Sequence, residues 1–417
     1  MKETHNLEYK EQITNSFLKT VSAFSNYDGG KIIFGIADDG TEKPLSDPVK
    51  NCLAIENAIN DSITPQPDFS LAVNEEKGTV TLTVHEGVAK PYLYKSKAYK
   101  RNDTATIEVD SLEFTRLALK GKNLKYEDLP AENQNLTFSF LEKKFREIAG
   151  VEVFDDNILK TLSLRSQKDG FNNAAALLSD QNDFPGIDVA KFGENISIIK
   201  KRATFEHRSV LESYENALSF YKDFYEYEEI KGAVRSTVQT VPEAAFREAV
   251  ANALIHRTWD VSSAIRILMF DDKIQVISPG GLPSGLTEAE YMQGKISVLR
   301  NPVLANVFYR LGIVEIFGTG VLRILETYRQ SLVKPKFEIT DNSISVELPV
   351  VQTELNLSAD ERTVYDALSK NIRKSISEIT AAVPFGKSKT GEILNALAES
   401  GYVSVSGNGR GTKYALS

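Results

Sequence analysis

Hydrophobic positions along this chain change period several times, and each change marks an element. In NSFLKTVSAFSN the apolar residues Phe17, Leu18, Val21 and Phe24 recur at helical spacing. YDGG breaks that helix, and KIIFGI follows as a short buried strand closed by the ADDG turn. GTVTLTV alternates apolar and polar positions, which predicts a strand with one face in a core. KPYLYKSKAYKRN, with lysines between tyrosines, predicts a hairpin, and EVDSLEFTRLALKG closes a first unit spanning residues 1–115. Residues 116–232 read as a helical linker, with FNNAAALLSD and the amphipathic run ESYENALSFYKDFYEY. Residues 233–352 bring the helix FREAVANALIHRTW, strands AIRILMF and KIQVIS, a helical stretch from Asn301 to Tyr328, and the alternating KFEITDNSISVELPV. Helices and antiparallel strands that segregate in this way predict a two-layer α/β sandwich. After the polar stretch QTELNLSAD, residues 356–417 predict three helices and then two strands around a Gly-rich tip, the order of a winged helix-turn-helix. The fold class expected is α+β and multidomain.

Composition narrows the class without deciding the function. The 417 residues are 41% hydrophobic and 25% charged, as in soluble globular chains, and no apolar run approaches the roughly 18 residues of a membrane span. The polar start MKETHNLEYKEQ does not read as a secretory signal. One cysteine, Cys52, leaves no internal disulfide and no thiolate metal cluster, so a reducing, cytoplasmic setting is expected. A net charge of −8 excludes an evenly basic coat but not a local basic patch.

One helix breaks the apolar pattern in a way that points to chemistry. Glu248, Asn252 and His256 recur at i, i+4 and i+8, so they share one face of a helix otherwise rich in Ala, Val, Leu and Ile. A side-chain amide oxygen can ligate Mg²⁺ bridging the phosphates of ATP, and a carboxylate one turn earlier can orient or deprotonate a water. Two Gly-rich turns follow, SPGGLPSG with Gly280 and Gly281, and FGTGVLRI with Gly318, Thr319 and Gly320. The second opens a helix, where free backbone N–H groups can receive an anion.

With its two glycine turns this arrangement resembles the ATP-binding domain of the gyrase, histidine-kinase and MutL superfamily. REAVANALIHRTW, VISPGGLP, RNPVLANVFYRLG, EIFGTGVLRI and FNNAAALLSD together resemble the bacterial RecG-like, transcriptional-regulator family. Such proteins join an AlbA-type Schlafen DNA-binding domain to a degenerate ATP-binding domain. The resemblance implies that Asn252 holds Mg²⁺, that Glu248 orients the hydrolytic water, that His256 sits near the phosphates, and that Gly318, Thr319 and Gly320 cover them. One departure stands out: where active members carry an adenine-reading Asp before the first glycine turn, this chain has Ser278. A helicase motor is not expected, because no complete P-loop is present; FGKSKTG lacks the earlier glycine, whose place Ala381 takes.

LEYKE and AFSNYDGGKIIFGIADDG resemble the AlbA-type Schlafen domain. Some Schlafen relatives cleave RNA with clustered carboxylates and a divalent metal, and here Glu3, Glu8 and Asp39, beside Asp38, are the candidates for such a nuclease. The structural alternative is that Glu8 pairs with Lys10 and that the DDG segment is a turn, and it is the preferred reading. Lys90, Lys95, Lys97, Lys100 and Arg101, with Tyr92, Tyr94 and Tyr99 between them, could form a surface for DNA or RNA, or merely a soluble strand. In the tail, Lys387, Ser388, Lys389 and Thr390 open the expected recognition helix, and Arg410 and Lys413 lie on the expected wing. The reading expected overall is a homodimeric DNA-binding transcriptional regulator with a nucleotide effector and at most weak ATPase activity. A metal-dependent nuclease, or an interaction scaffold with a degenerate ATP fold, are the rivals.

Overall fold

The computed structural model describes residues 2–231, 234–283, 285–296, 298–315, 317–351, 357–370 and 372–416. Two compact units emerge, residues 1–125 and residues 126–417.

In the first unit the described residues form a four-stranded sheet ordered Leu7–Lys10, Gly30–Phe34, Thr79–Val84, Phe69–Asn74. The first pair is parallel because helix Phe17–Asn26 carries the chain back over the sheet; the other pairs are antiparallel. Phe17, Leu18, Val21 and Phe24, the helical stripe read from the sequence, are all buried, and the Phe17 ring meets Phe34 edge-on at 5.2 Å. Helix Pro48–Ser62 has its start fixed twice, by Pro48 in the first turn and by Asp47, which accepts from the Lys50 N–H at 3.0 Å.

The expected hairpin at residues 90–102 is divided. Tyr94 and Lys97 close a two-residue turn with Lys95 and Ser96 at positive φ, while the longer ladder pairs Tyr99–Asn102 with Ala105–Glu108. Alternation places the rings inward: Tyr92, Tyr94 and Tyr99 are 4%, 5% and 7% exposed. They are core residues and do not offer their faces to bases.

In the second unit the described residues form a six-stranded sheet ordered Ile199–Phe205, Ile187–Phe192, Ile265–Met269, Lys273–Pro279, Ser343–Pro349, Lys336–Ile339. Only Ile187–Phe192 and Ile265–Met269 run parallel. The segment read as a helical linker is therefore a correction: it supplies two strands of this sheet and helix Val210–Tyr225. Its Leu141, Leu177, Val189 and Tyr221 share one core with Phe246, Ile267 and Leu348. The strands escaped notice because IDVAKF is buried nearly throughout and IKKRATF is mostly exposed, so neither alternates. Helix Glu243–His256 packs on strands Lys273–Pro279 and Ser343–Pro349 and against helices Val210–Tyr225 and Gly320–Thr327. FNNAAALLSD proves architectural: Asn172 caps helix Asn173–Leu178, Asn173 donates to the Tyr126 carbonyl, and Asp180 accepts from the Ser139 and Phe140 N–H groups at the start of helix Ser139–Ala149.

The tail of this unit contains helices Ala359–Asp366, Ile376–Thr380 and Lys387–Glu399, with a three-stranded antiparallel sheet ordered Lys374–Ser375, Lys413–Leu416, Val403–Ser406. Its first two helices start on capping boxes, Ser358 with Glu361 and Ser375 with Glu378. Val364, Ile379, Leu394, Leu397 and Tyr414 form its core, with Val333 packed against them. The Arg410 side chain, an expected wing contact, and most of the expected linker at 352–356 lie outside the described residues.

Candidate functional site

Helix Glu243–His256 is buried on its apolar positions and carries Glu248 and Asn252 into a cleft that also reaches His256, Gly281, Glu315, Gly318 and Gly320. Asn252 Nδ2 donates to Glu248 Oε1 at 3.2 Å, which leaves the amide oxygen for another partner. Opposite them starts helix Gly320–Thr327, after Gly318 at φ +70° and Thr319, whose side chain caps nothing. A β-carbon on Gly320 would fall 2.5 Å from both Asn252 Nδ2 and Glu248 Oε1, so a larger residue there would push the two side chains aside. The first-turn N–H groups of that helix have no intrahelical acceptor. Carboxylate, amide and helix N-terminus thus meet at one point.

The electrostatics of that point are unusual for a carboxylate. Burial raises the Glu248 pKa above its ordinary value, against the pull of Arg323 at 3.9 Å and the Asn252 hydrogen bond; Glu315 reinforces the rise. Arg323 stands between Glu248 and Glu315, 4.0 Å from the latter.

The first glycine turn plays another part. The Gly280 N–H donates to the Asn342 carbonyl at 2.8 Å and the Gly281 N–H to Asp341 at 3.2 Å, so neither is left for a phosphate. The Gly281 carbonyl accepts from Arg300 Nη2 at 2.7 Å. Gly280 and Gly281, expected at the cofactor, are backbone that must pass close to Thr258 and to the 340–341 carbonyls, where a side chain would collide, and Gly281 lines the cleft.

The segment RNPVLANVFYRLG makes contacts that no local pattern in it announces. Arg300 Nη1 donates to the His256 carbonyl and to Thr258 Oγ1, both at 2.9 Å, and Asn301 Nδ2 donates to the Ile255 and Arg257 carbonyls at 2.9 and 2.8 Å. Pro302 then starts helix Pro302–Arg310, whose Val303 and Leu304 N–H groups are taken by the buried carboxylate of Glu127 at 2.7 and 3.0 Å. The tripeptide ties the end of the Glu248 helix to the first glycine turn. Its one legible signal was Asn before Pro at a helix start.

Ser278, standing where an adenine-reading carboxylate was looked for, is buried and donates to the Ala253 carbonyl at 2.9 Å. Tyr291, missed in the sequence, lines both the main cleft and a smaller slot that Ser278 lines. Burial pushes its hydroxyl up to about 12.

The nuclease candidates are not brought together. Glu8 lies buried between Lys10 at 2.7 Å and Arg101 at 2.5 Å and accepts from Thr20 Oγ1 at 2.7 Å; Glu3 accepts from the Tyr9 N–H; Asp39 accepts from the Thr41 N–H within its own turn. Among the described residues no group of His, Cys, Asp or Glu is disposed to hold a metal ion. The basic hairpin is also largely committed: Lys90 pairs with Glu86, Lys97 with Glu108, Lys100 with Glu113 and Arg101 with Glu8, while Lys95 lies over the Tyr94 ring. In the tail Lys387, Ser388 and Lys389 are exposed at the start of helix Lys387–Glu399, with Lys389 paired to Asp360 at 2.5 Å; Lys413 is exposed. Thr390 is a correction, since it is fully buried and donates to the Gly386 carbonyl, out of reach of any base edge.

Family comparison agrees with this architecture. Residues 3–110 match the family described as "Schlafen, AlbA_2", and residues 262–348 match that described as "Putative ATP-dependent DNA helicase recG C-terminal". Two regions of the chain are thus similar to the Schlafen AlbA_2 family and to the C-terminal part of the RecG-like family. The second match spans both glycine turns and starts after the helix that bears Glu248 and Asn252. Among solved structures, the DIP2311 protein from Corynebacterium diphtheriae is 20% identical, with a TM-score of 0.50, over 99% of this chain and 92% of that one, a similarity of fold. The N-terminal domain of a RecG-related protein from Nitrosomonas europaea is 21% identical over 25% of this chain and 79% of that one, at a TM-score of 0.18. No curated protein matches. Among the described residues no helix is long and apolar enough to cross a membrane.

Proposed function

We propose that the chain is a DNA-binding protein of transcriptional control whose second unit takes a Mg²⁺·nucleotide as effector. The observation that carries this reading is the Glu248–Asn252 pair set against the uncapped start of helix Gly320–Thr327. The Asn252 amide oxygen would hold the metal, the first-turn N–H groups would face the phosphates, and Glu248 would orient a water beside them. Magnesium, when bound, neutralises phosphate charge. The residues fit the metal and phosphate end of such a ligand. The open space in the cleft is about 70 Å³, below the roughly 300 Å³ of ordinary ligand pockets, so the base does not fit inside as it stands.

DNA recognition is assigned to the tail, read as a winged helix: Lys387 and Ser388 would enter the groove on their helix, and Lys413 would meet phosphate from the hairpin. The AlbA-type unit would add binding without sequence preference, and a homodimer would match paired half-sites. The test is thermal unfolding of the full chain with Mg·ATP. A saturable rise in Tm, lost in Asn252→Ala, supports the reading; no rise at millimolar nucleotide refutes it.

A further inference from the structure

Two parts of the cleft differ in what they can recognise. The smaller slot, bounded by Ala253, Val276, Ser278, Tyr291, Ile344 and Val346, holds about 30 Å³, room for water and not for a bicyclic base. Its walls are mostly hydrocarbon, and the one hydroxyl proton of Ser278 is spent on the Ala253 carbonyl. Asn252, His256 and Tyr291, which also line the slot, border the main cleft as well, so it is the small volume and not the lining that keeps a base out.

The mouth of the cleft is built in the opposite sense. Ile296 and Val298 line the cleft and are yet 48% and 37% exposed. Leu322, next to Val321 of the cleft, lies against Gly294 and is 42% exposed, and Phe317, next to Gly318 of the cleft, is 79% exposed. Large apolar side chains left in solvent beside a cleft are informative where a buried one is not. An aromatic ring at such a place stacks on any base, because every base has a π-face.

Resting on the nucleotide reading above, we infer that this site recognises a nucleoside triphosphate by its metal and phosphates alone, with the base lying outside the smaller slot on the lip of Ile296, Val298, Phe317 and Leu322. The site is indifferent to base identity, and Phe317 is the residue that adds affinity for the nucleoside.

The test titrates the full chain with the Mg²⁺ complexes of ATP, GTP, CTP, UTP and inorganic tripolyphosphate by calorimetry. The expected result is that the four nucleotides agree within about threefold and tripolyphosphate binds about tenfold or more weakly. Phe317→Ala, at an exposed position that leaves the core untouched, should bring all four down to the tripolyphosphate level. ATP binding tenfold or more tightly than the other three, with Phe317→Ala without effect, overturns the inference and leaves the nucleotide reading standing. Absence of binding by all five ligands overturns the nucleotide reading and this inference with it.

Discussion

Glu248 carries a penalty that a purely structural side chain would not. Its pKa is raised by burial, so the folded state holds its proton more tightly than the unfolded chain does. Stability therefore falls as pH rises from the ordinary carboxylate range through the folded pKa, and the penalty is absent below that range. Glu248→Gln is expected to unfold at a higher temperature than the parent at pH 8 and at the same temperature near pH 4, as followed by thermal scans across pH. A second buried carboxylate, Glu8, belongs to the first unit. It is sandwiched by Lys10 and Arg101 in a buried network, so Glu8→Ala should leave Arg101 without its counter-charge and cost about 3–5 kcal/mol in urea unfolding. The alternation in LEYKE did suggest the Lys10 pairing. Arg101, 93 residues away, could not be joined to Glu8 from sequence, because that contact joins two separate sheets.

At the level of elements, legibility followed amphipathicity. The helix at Phe17–Asn26, the strand at Thr79–Val84 and the capped helices of the tail were readable because period and capping residues agree. Strands Ile187–Phe192 and Ile199–Phe205 were not, since one is buried on both faces and the other is an exposed edge. The polar line of Glu248, Asn252 and His256 was visible, whereas Arg300, Asn301 and Glu127 act across chain separations that no local pattern records. Asn301, buried and bonded to two terminal carbonyls of the Glu248 helix, should cost about 1–3 kcal/mol when changed to Ala, measured by urea unfolding. The same change should weaken nucleotide binding, because the helix end would no longer be held to the first glycine turn.

For the molecule as a whole, a net charge of −8 means that any DNA contact is local. On the winged-helix reading Lys413 meets phosphate, so Lys413→Ala should weaken all duplexes alike and lower the salt slope of binding by about one. Lys387 begins the helix that would read bases, so Lys387→Ala should alter sequence preference as well as affinity. Both are exposed, and neither change touches the core that the tail shares with Val333. The central claim, however, lies at the Glu248–Asn252 cleft. Isothermal titration of the full chain with Mg·ATP, beside Asn252→Ala with its fold verified by circular dichroism, tests it most directly. The account predicts one saturable site in the parent chain and at least a tenfold loss of affinity in the variant. Equal affinity in both, or no heat from the parent at millimolar nucleotide, would contradict it.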